Sequence, residues 1–227
     1  MDSGNIGFVL LCAAFVFVMT PGLAMFYGGL VRKKNVVNTM MTSIFIIGVG
    51  IVMWVLFGYS LSFAPSGNAF IGDFRWLGLE GVSLTEGYTD DASIPNMVFS
   101  AFQMMFAVIT PALITGAVAG RMKFKSIFVF TIFWSLIVYY PLAHMVWGQG
   151  GLLGADGIGA LDFAGGDVVH ISSGVSALVL CILLGKRHDY EHSIYRIHNI
   201  PTVVLGASLL MFGCCLLYTS PSPRDRG

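Results

Sequence analysis

The chain consists of long apolar blocks separated by short polar and charged stretches. A helix needs about 20 apolar residues to cross the hydrocarbon core of a bilayer, so apolar blocks of that length predict transmembrane helices. The predicted helices cover residues 6–31, 36–64, 94–119, 126–147, 166–185 and 200–217. The pattern therefore predicts an all-α fold, a polytopic bundle of helices in a membrane.

Composition narrows the class of protein and of partner. Hydrophobic residues make up 56% of the chain and charged residues only 11%, whereas soluble domains carry about 25% charged residues. The formal net charge of zero offers no basic surface for nucleic acid. The cysteines lack the paired spacing of a metal site. We therefore expect a lipid bilayer around the chain, and no nucleic acid, metal or cofactor.

The charges between the apolar blocks predict the orientation. Nine basic residues follow the first, third and fifth blocks, whereas the alternate loops, 65–93 and 148–165, contain only Arg75. Short cytoplasmic loops carry the excess of Lys and Arg in membrane proteins. The first, third and fifth helices are therefore expected to end in the cytoplasm, which places the N-terminus outside.

Two polar residues belong to the fifth block. Asp162 precedes the predicted helix. A carboxylate at such a position caps backbone amides. Its charge would also stabilise a cation at an outer vestibule. His170 lies several residues inside the block. An imidazole persists in apolar surroundings when its nitrogens are paired, and ionisable residues within spans mark conduction pathways. We predict that His170 lines a pathway; the alternative is a structural histidine.

Aromatic residues supply further candidates at the ends of two blocks. Trp147, in PLAHMVWGQGG, fits an interfacial anchor or a ring face that holds an ammonium-type cation. Phe102 and Phe106, in AFQMMFAVITP, share one helix face, and that spacing alone means core packing. His144 fits an interfacial residue with a ring nitrogen in contact with water. None of these positions is diagnostic by itself.

Taken together, these stretches resemble the ammonium transporter (Amt/Mep/Rh) family. The resemblance begins with MTPGLAMFYGGLVRKKN, continues through AFQMMFAVIT, AHMVWGQGGLLG and DFAGGDVVH, and ends with HNIP and Gly213. It implies a transporter or channel and not an enzyme, with ammonium or ammonia as its substrate. It also implies a homotrimer with one narrow pore per subunit in the plasma (inner) membrane, and a PII-type signal protein as a candidate partner.

The resemblance implies a role for four residues. Trp147 is similar to the vestibule tryptophan that receives ammonium, and Phe106 to one ring of a phenylalanine gate. Asp162 is similar to the recruitment or structural aspartate, and His170 to the first of two pore histidines. The implied mechanism removes the proton before ammonia crosses the pore, because an intact cation is costly to carry through hydrocarbon. Phe102 and His144 remain secondary candidates.

The chain departs from the family pattern after Gly213, where CCLLYTSPSPRDRG replaces a tryptophan, a Phe-Gly-Phe-Asn run and a serine. Residues 1–214 are expected to form the N-terminal part of the transporter domain, with about six of eleven helices and only one side of the pore. Such a fragment is expected to be inactive. Residues 215–227 look like a translated sequencing-library adapter, and we interpret them as a non-native tail.

Two other functions are compatible with the same residues. One is an ammonium sensor of the same family, which binds ammonium without passing it. The other is an intramembrane hydrolase that uses His144, His170 and Asp162 as metal ligands or acid–base groups. The hydrolase lacks support from a nucleophile motif or a histidine pair at ligand spacing.

Overall fold

The structure, a computed structural model, describes residues 1–154, 157–187, 190 and 196–219. All regular elements in this part of the chain are helices. Within the described ranges, five helical spans are long and apolar enough to cross a membrane, and one more apolar helix follows them. The predicted all-α bundle of an integral membrane protein is therefore confirmed.

The first three spans lie within residues 3–118. The first is a single helix, α1, Ser3–Leu30. The second begins as α2, Val36–Met53, passes through a π-helical turn, Trp54–Gly58, and ends as α3, Tyr59–Phe63. The third is α4, Asn96–Val118. Each of them begins and ends within about three residues of the predicted bounds.

The fourth and fifth spans also contain π-helical turns. The fourth consists of α5, Phe124–Trp134, the turn Ser135–Tyr139, and α6, Tyr140–Trp147. The fifth begins with the π-helical turn Gly166–Ile171 and continues as α7, Ser172–Leu184. Insertions of this kind inside helices shift the side chains that follow them, and they recur at functional sites.

The sixth helix, α8, covers Ile200–Thr219 and packs along α1. Its backbone includes residues 215–219 of the predicted non-native tail. The rest of that tail, residues 220–227, lies outside the described residues. The origin of the tail stays a prediction.

Aromatic rings fill the core at the end of the bundle that carries Trp147, here called the Trp147 end. Trp54 lies 5.7 Å from Tyr59 and 6.1 Å from Tyr140 between ring centroids, and all three side chains are at most 1% exposed. A Cβ atom added to Gly58 would lie 2.7 Å from the Tyr140 ring. The π-helical turn of the second span therefore lies against the first residue of α6, which follows the π-helical turn of the fourth span.

Two glycines allow α1 and α8 to touch through their backbones. A Cβ atom added to Gly206 would lie 2.5 Å from the carbonyl oxygen of Gly22 and 2.8 Å from the Cα atom of Phe26. Lipid provides no hydrophobic drive for helices to associate, so close van der Waals contact of this kind holds them together. The crossing of α1 and α8 therefore depends on the absence of a side chain at Gly206.

We predict that Gly206→Ala destabilises the packing of α8 on α1. The added methyl group meets backbone atoms that cannot rotate away, and overpacking of this kind costs about 2 kcal/mol. Thermal unfolding of the purified chain in detergent, followed by helical circular dichroism, measures the loss. Gly48→Ala is the matched control, because a Cβ atom there has no neighbour within 4 Å in the part of the chain that the structure describes. An unchanged midpoint for Gly206→Ala would contradict the packing.

Candidate functional site

The Asp162 carboxylate caps the first turn of the fifth span. Its Oδ1 atom accepts hydrogen bonds from the backbone N–H groups of Gly165 and Gly166, at 2.6 and 2.7 Å. Its Oδ2 atom accepts from Asp167 and Val168, at 2.8 and 3.0 Å. The N–H groups of a first helical turn have no partner within the helix, and a buried carboxylate supplies both the acceptors and the charge that this end favours.

The same aspartate orients Trp147. The Trp147 indole Nε1–H donates to the backbone carbonyl oxygen of Asp162 at 2.9 Å, and the tryptophan side chain is only 7% exposed. An indole N–H inside a protein requires an acceptor, and the position of that acceptor sets the plane of the ring. Asp162 therefore contacts two spans. Its side chain caps the start of the fifth span, and its backbone carbonyl accepts a hydrogen bond from the end of the fourth.

Phe106 and Phe102 continue the row of rings that Trp147 begins. The ring centroids of Phe106 and Trp147 are 6.3 Å apart, with an interplanar angle of 65°. Those of Phe102 and Phe106 are 5.1 Å apart, with an angle of 80°. Both arrangements are edge-to-face, which is the favoured geometry for aromatic pairs. The structure thus brings together four of the predicted site residues, Asp162, Trp147, Phe106 and Phe102.

His170 lies in the π-helical turn that Asp162 caps, but it is exposed, whereas Trp147 and Phe106 are buried. Its backbone N–H donates to the carbonyl oxygen of Gly165, five residues earlier, at 2.9 Å. The residue is exposed, although Val168 and Val169 beside it are buried. The exposed face continues along α7 with residues that are each more than half exposed, namely Ile171, Val175, Leu178 and Ile182.

His144 is completely buried, so the expectation of a ring nitrogen in contact with water is wrong. Its Nδ1 atom lies 3.1 Å from the backbone carbonyl oxygen of Ser62, and its Nε2 atom lies 2.8 Å from that of Asn68. The ring connects α6 to the end of the second span and to the loop that follows it. His144 is therefore close to Trp147 along the chain, but it belongs to a separate set of contacts.

A second set of hydrogen bonds at the Trp147 end, between Gln149 and Tyr88, was not predicted from the sequence. Gln149 donates from its backbone N–H to the Tyr88 hydroxyl oxygen at 3.1 Å, and from its side-chain amide to the Tyr88 carbonyl oxygen at 3.0 Å. The residues concerned are 61 positions apart. No local pattern signals such a pair, because one of the two acceptors is a backbone carbonyl that any residue type supplies.

The loops at the Trp147 end have a negative electrostatic balance. Arg75 is the only basic residue in loops 65–93 and 148–165, which together contain several carboxylates. It is paired with Asp73, with Nη2 and Oδ2 2.7 Å apart. The hydrogen bond from the Arg75 guanidinium lowers the pKa of the Asp73 carboxyl, which stays ionised at neutral pH. With Arg75 neutralised by Asp73, these loops keep an excess of carboxylates, which attracts cations and repels anions.

Comparison with known proteins decides the family. Residues 7–217 match the Ammonium Transporter Family. The chain belongs to the ammonium transporter family. The expected resemblance is thereby confirmed over nearly the whole chain.

Individual members of the family show how much of their length the chain matches. The ammonium transporter of Bacillus subtilis (strain 168) is 51% identical over 213 residues, which cover 94% of this chain and 51% of the relative. The crystal structure of Saccharomyces cerevisiae Mep2 superimposes with a TM-score of 0.84 at 36% identity, covering 96% of this chain and 48% of that one. A structure of a sensor Amt protein superimposes with a TM-score of 0.80 at 27% identity, covering 94% and 53%. The chain spans about half the length of the curated relatives it matches.

We predict that Asp162→Asn destabilises this ammonium transporter family member by about 3 kcal/mol, because the amide leaves two N–H groups of the first turn without an acceptor. Thermal unfolding of the purified chain in detergent measures the change. Asp167→Asn is the control, since Asp167 contributes only its backbone N–H to the cap. Equal unfolding midpoints for Asp162→Asn and the unsubstituted chain would rule out the cap as a stabilising element.

Proposed function

We propose that this chain forms one half of an ammonium channel or transporter, which recruits ammonium at Trp147 and conducts ammonia past His170. One observation carries the proposal: Trp147, oriented by the carbonyl of Asp162, contacts Phe106 in a chain of the ammonium transporter family. A tryptophan face attracts a desolvated ammonium-type cation by about 2 kcal/mol. The acidic loops at this end raise the local concentration of cations.

The proposed mechanism follows from the cost of moving charge through an apolar pore. Ammonium would contact the Trp147 ring and lose its proton before it passes Phe106 and Phe102, and the proton would follow a separate route. Neutral ammonia would then pass along His170, whose imidazole can exchange hydrogen bonds with it. A potassium ion has no proton to release, so the same barrier excludes it.

The exposed face of the fifth span supports the view that the pore is only half present. His170 is exposed, and Ile171, Val175 and Leu178 beside it are apolar and more than half exposed. A second half like that of the twice-longer relatives would cover this face and complete the pore. The chain alone is then inactive. We further propose that the complete protein is a homotrimer in the plasma (inner) membrane, with the N-terminus outside. It would be regulated by a PII-type protein and would have no enzymatic activity.

A sensor function is the second candidate, and the similarity to a sensor Amt protein favours it. A sensor would hold ammonium at Trp147 without passing it. The hydrolase alternative has less support, because the Asp162 carboxylate and both ring nitrogens of His144 are occupied by backbone groups. Those atoms are unavailable as metal ligands or as a general base without disruption of the fold.

The proposal is tested by uptake of labelled methylammonium in cells that lack their own ammonium transporters. Residues 1–214 are joined to the second half of the Bacillus subtilis relative, which is 51% identical over the matched half. We expect the chimera to take up methylammonium, and Trp147→Leu and His170→Ala to change the rate or the selectivity against potassium while the protein still reaches the membrane. His198→Ala, an exposed histidine outside the proposed site, is the control.

The outcomes of this experiment separate the candidates. Unchanged rate and selectivity in both Trp147→Leu and His170→Ala would contradict the assigned roles. Saturable binding of methylammonium that Trp147→Leu weakens, with no uptake by the chimera, would favour the sensor.

A further inference from the structure

Each ring nitrogen of His144 faces a backbone carbonyl oxygen. The ring nitrogens lie 3.1 and 2.8 Å from the carbonyl oxygens of Ser62 and Asn68. A carbonyl oxygen accepts hydrogen bonds and cannot donate them. A ring with a proton on only one nitrogen would hold the lone pair of the other against a carbonyl lone pair. Both contacts are hydrogen bonds only when each ring nitrogen carries a proton, and the ring is then an imidazolium with a positive charge.

The surroundings of the ring supply partial negative charge, which opposes the cost of burying an imidazolium, and they exclude an exchanging ligand. Ser62 lies in the last turn of α3, where helix carbonyls have no partner within the helix and carry partial negative charge. His144 is itself in the last turn of α6. The residue is 0% exposed, and a Cβ atom added to Gly148 would lie only 2.6 Å from Nδ1. Neither water nor a substrate has access to this ring.

The contacts of His144 connect the second span and its loop to the segment that carries Trp147. His144 and Trp147 both belong to α6, one turn apart. After the tryptophan, the backbone N–H of Leu152 donates to the carbonyl oxygen of Ala69 at 3.0 Å. The loop at Asn68 and Ala69 is therefore bonded to the chain both before and after Trp147.

We propose that His144 is a positioning residue whose two ring N–H groups clamp the end of the second span and the loop at Asn68 onto α6, and so hold Trp147 in place. The link from this clamp to substrate recruitment rests on the proposed function. The clamp itself does not, because its carbonyl partners belong to the fold. His144 acts through Trp147 and does not contact the substrate.

The first test measures the protonation of the His144 ring directly and does not depend on transport activity. The chain is labelled with 15N-histidine, reconstituted in lipid vesicles and examined by solid-state NMR. The signal of His144 is assigned by its loss in His144→Phe or in His144→Gln. We expect protons on both ring nitrogens of His144. A spectrum with one unprotonated ring nitrogen at this residue would overturn the clamp, whatever the transport activity of the protein.

The second test measures the effect on recruitment in the chimera described above. We expect His144→Phe, which keeps the ring shape but removes both donors, to raise the KM for methylammonium about tenfold with a smaller change in maximal rate. His144→Gln can satisfy one carbonyl and should give an intermediate KM. Ser62→Ala is the matched control, because it keeps the carbonyl that His144 contacts and removes a buried hydroxyl that has no partner among the described residues.

The pattern of results distinguishes positioning from general support of the fold. A lower maximal rate with unchanged KM in His144→Phe would refute the positioning of Trp147, and so would an unchanged uptake profile. If the unsubstituted chimera does not take up methylammonium, the proposed function fails, and the NMR measurement still decides whether the clamp exists.

Discussion

Four backbone amides converge on the Asp162 carboxylate, and the rest of the Trp147 end depends on this contact. The interaction begins the fifth span at a defined residue, and it holds the backbone of Asp162 where its carbonyl accepts the Trp147 indole N–H. A buried carboxylate is stable here because each oxygen accepts two hydrogen bonds and the helix start supplies partial positive charge. The position of the tryptophan is thus tied to the start of a neighbouring helix.

Several polar side chains at this end bond to backbone atoms instead of to each other. Asp162 accepts from amides, His144 faces two carbonyls, and Gln149 contacts both the hydroxyl and the carbonyl of Tyr88. Such contacts place loops relative to helices. The negative charge of Asp162 is already shared among four N–H groups. Under the proposed function, the cation therefore binds to the face of the Trp147 ring and not to the Asp162 carboxylate.

The helices and the Asp162 cap could be predicted from the sequence for physical reasons. A bilayer imposes a minimum apolar length on each span, so the apolar blocks predict the spans directly. An aspartate followed within a few residues by Gly165 and Gly166, and then by an apolar run, is a local signal for a helix start. The π-helical turns within the described residues were not predicted, and neither was the contact of the Tyr140 ring with Gly58, because it joins residues of two spans that are far apart along the chain.

The sequence by itself determined the membrane class, the family and the residue types of the candidate site, since these follow from hydropathy and from short motifs. Only the tertiary structure decided that Trp147 donates a hydrogen bond to the Asp162 carbonyl and contacts the Phe106 ring. It also decided that His170 is exposed on an apolar face and that His144 is buried against two carbonyls. The reason is that backbone carbonyls are the same in every residue. A partner of that kind becomes visible only when the chain has brought distant segments together.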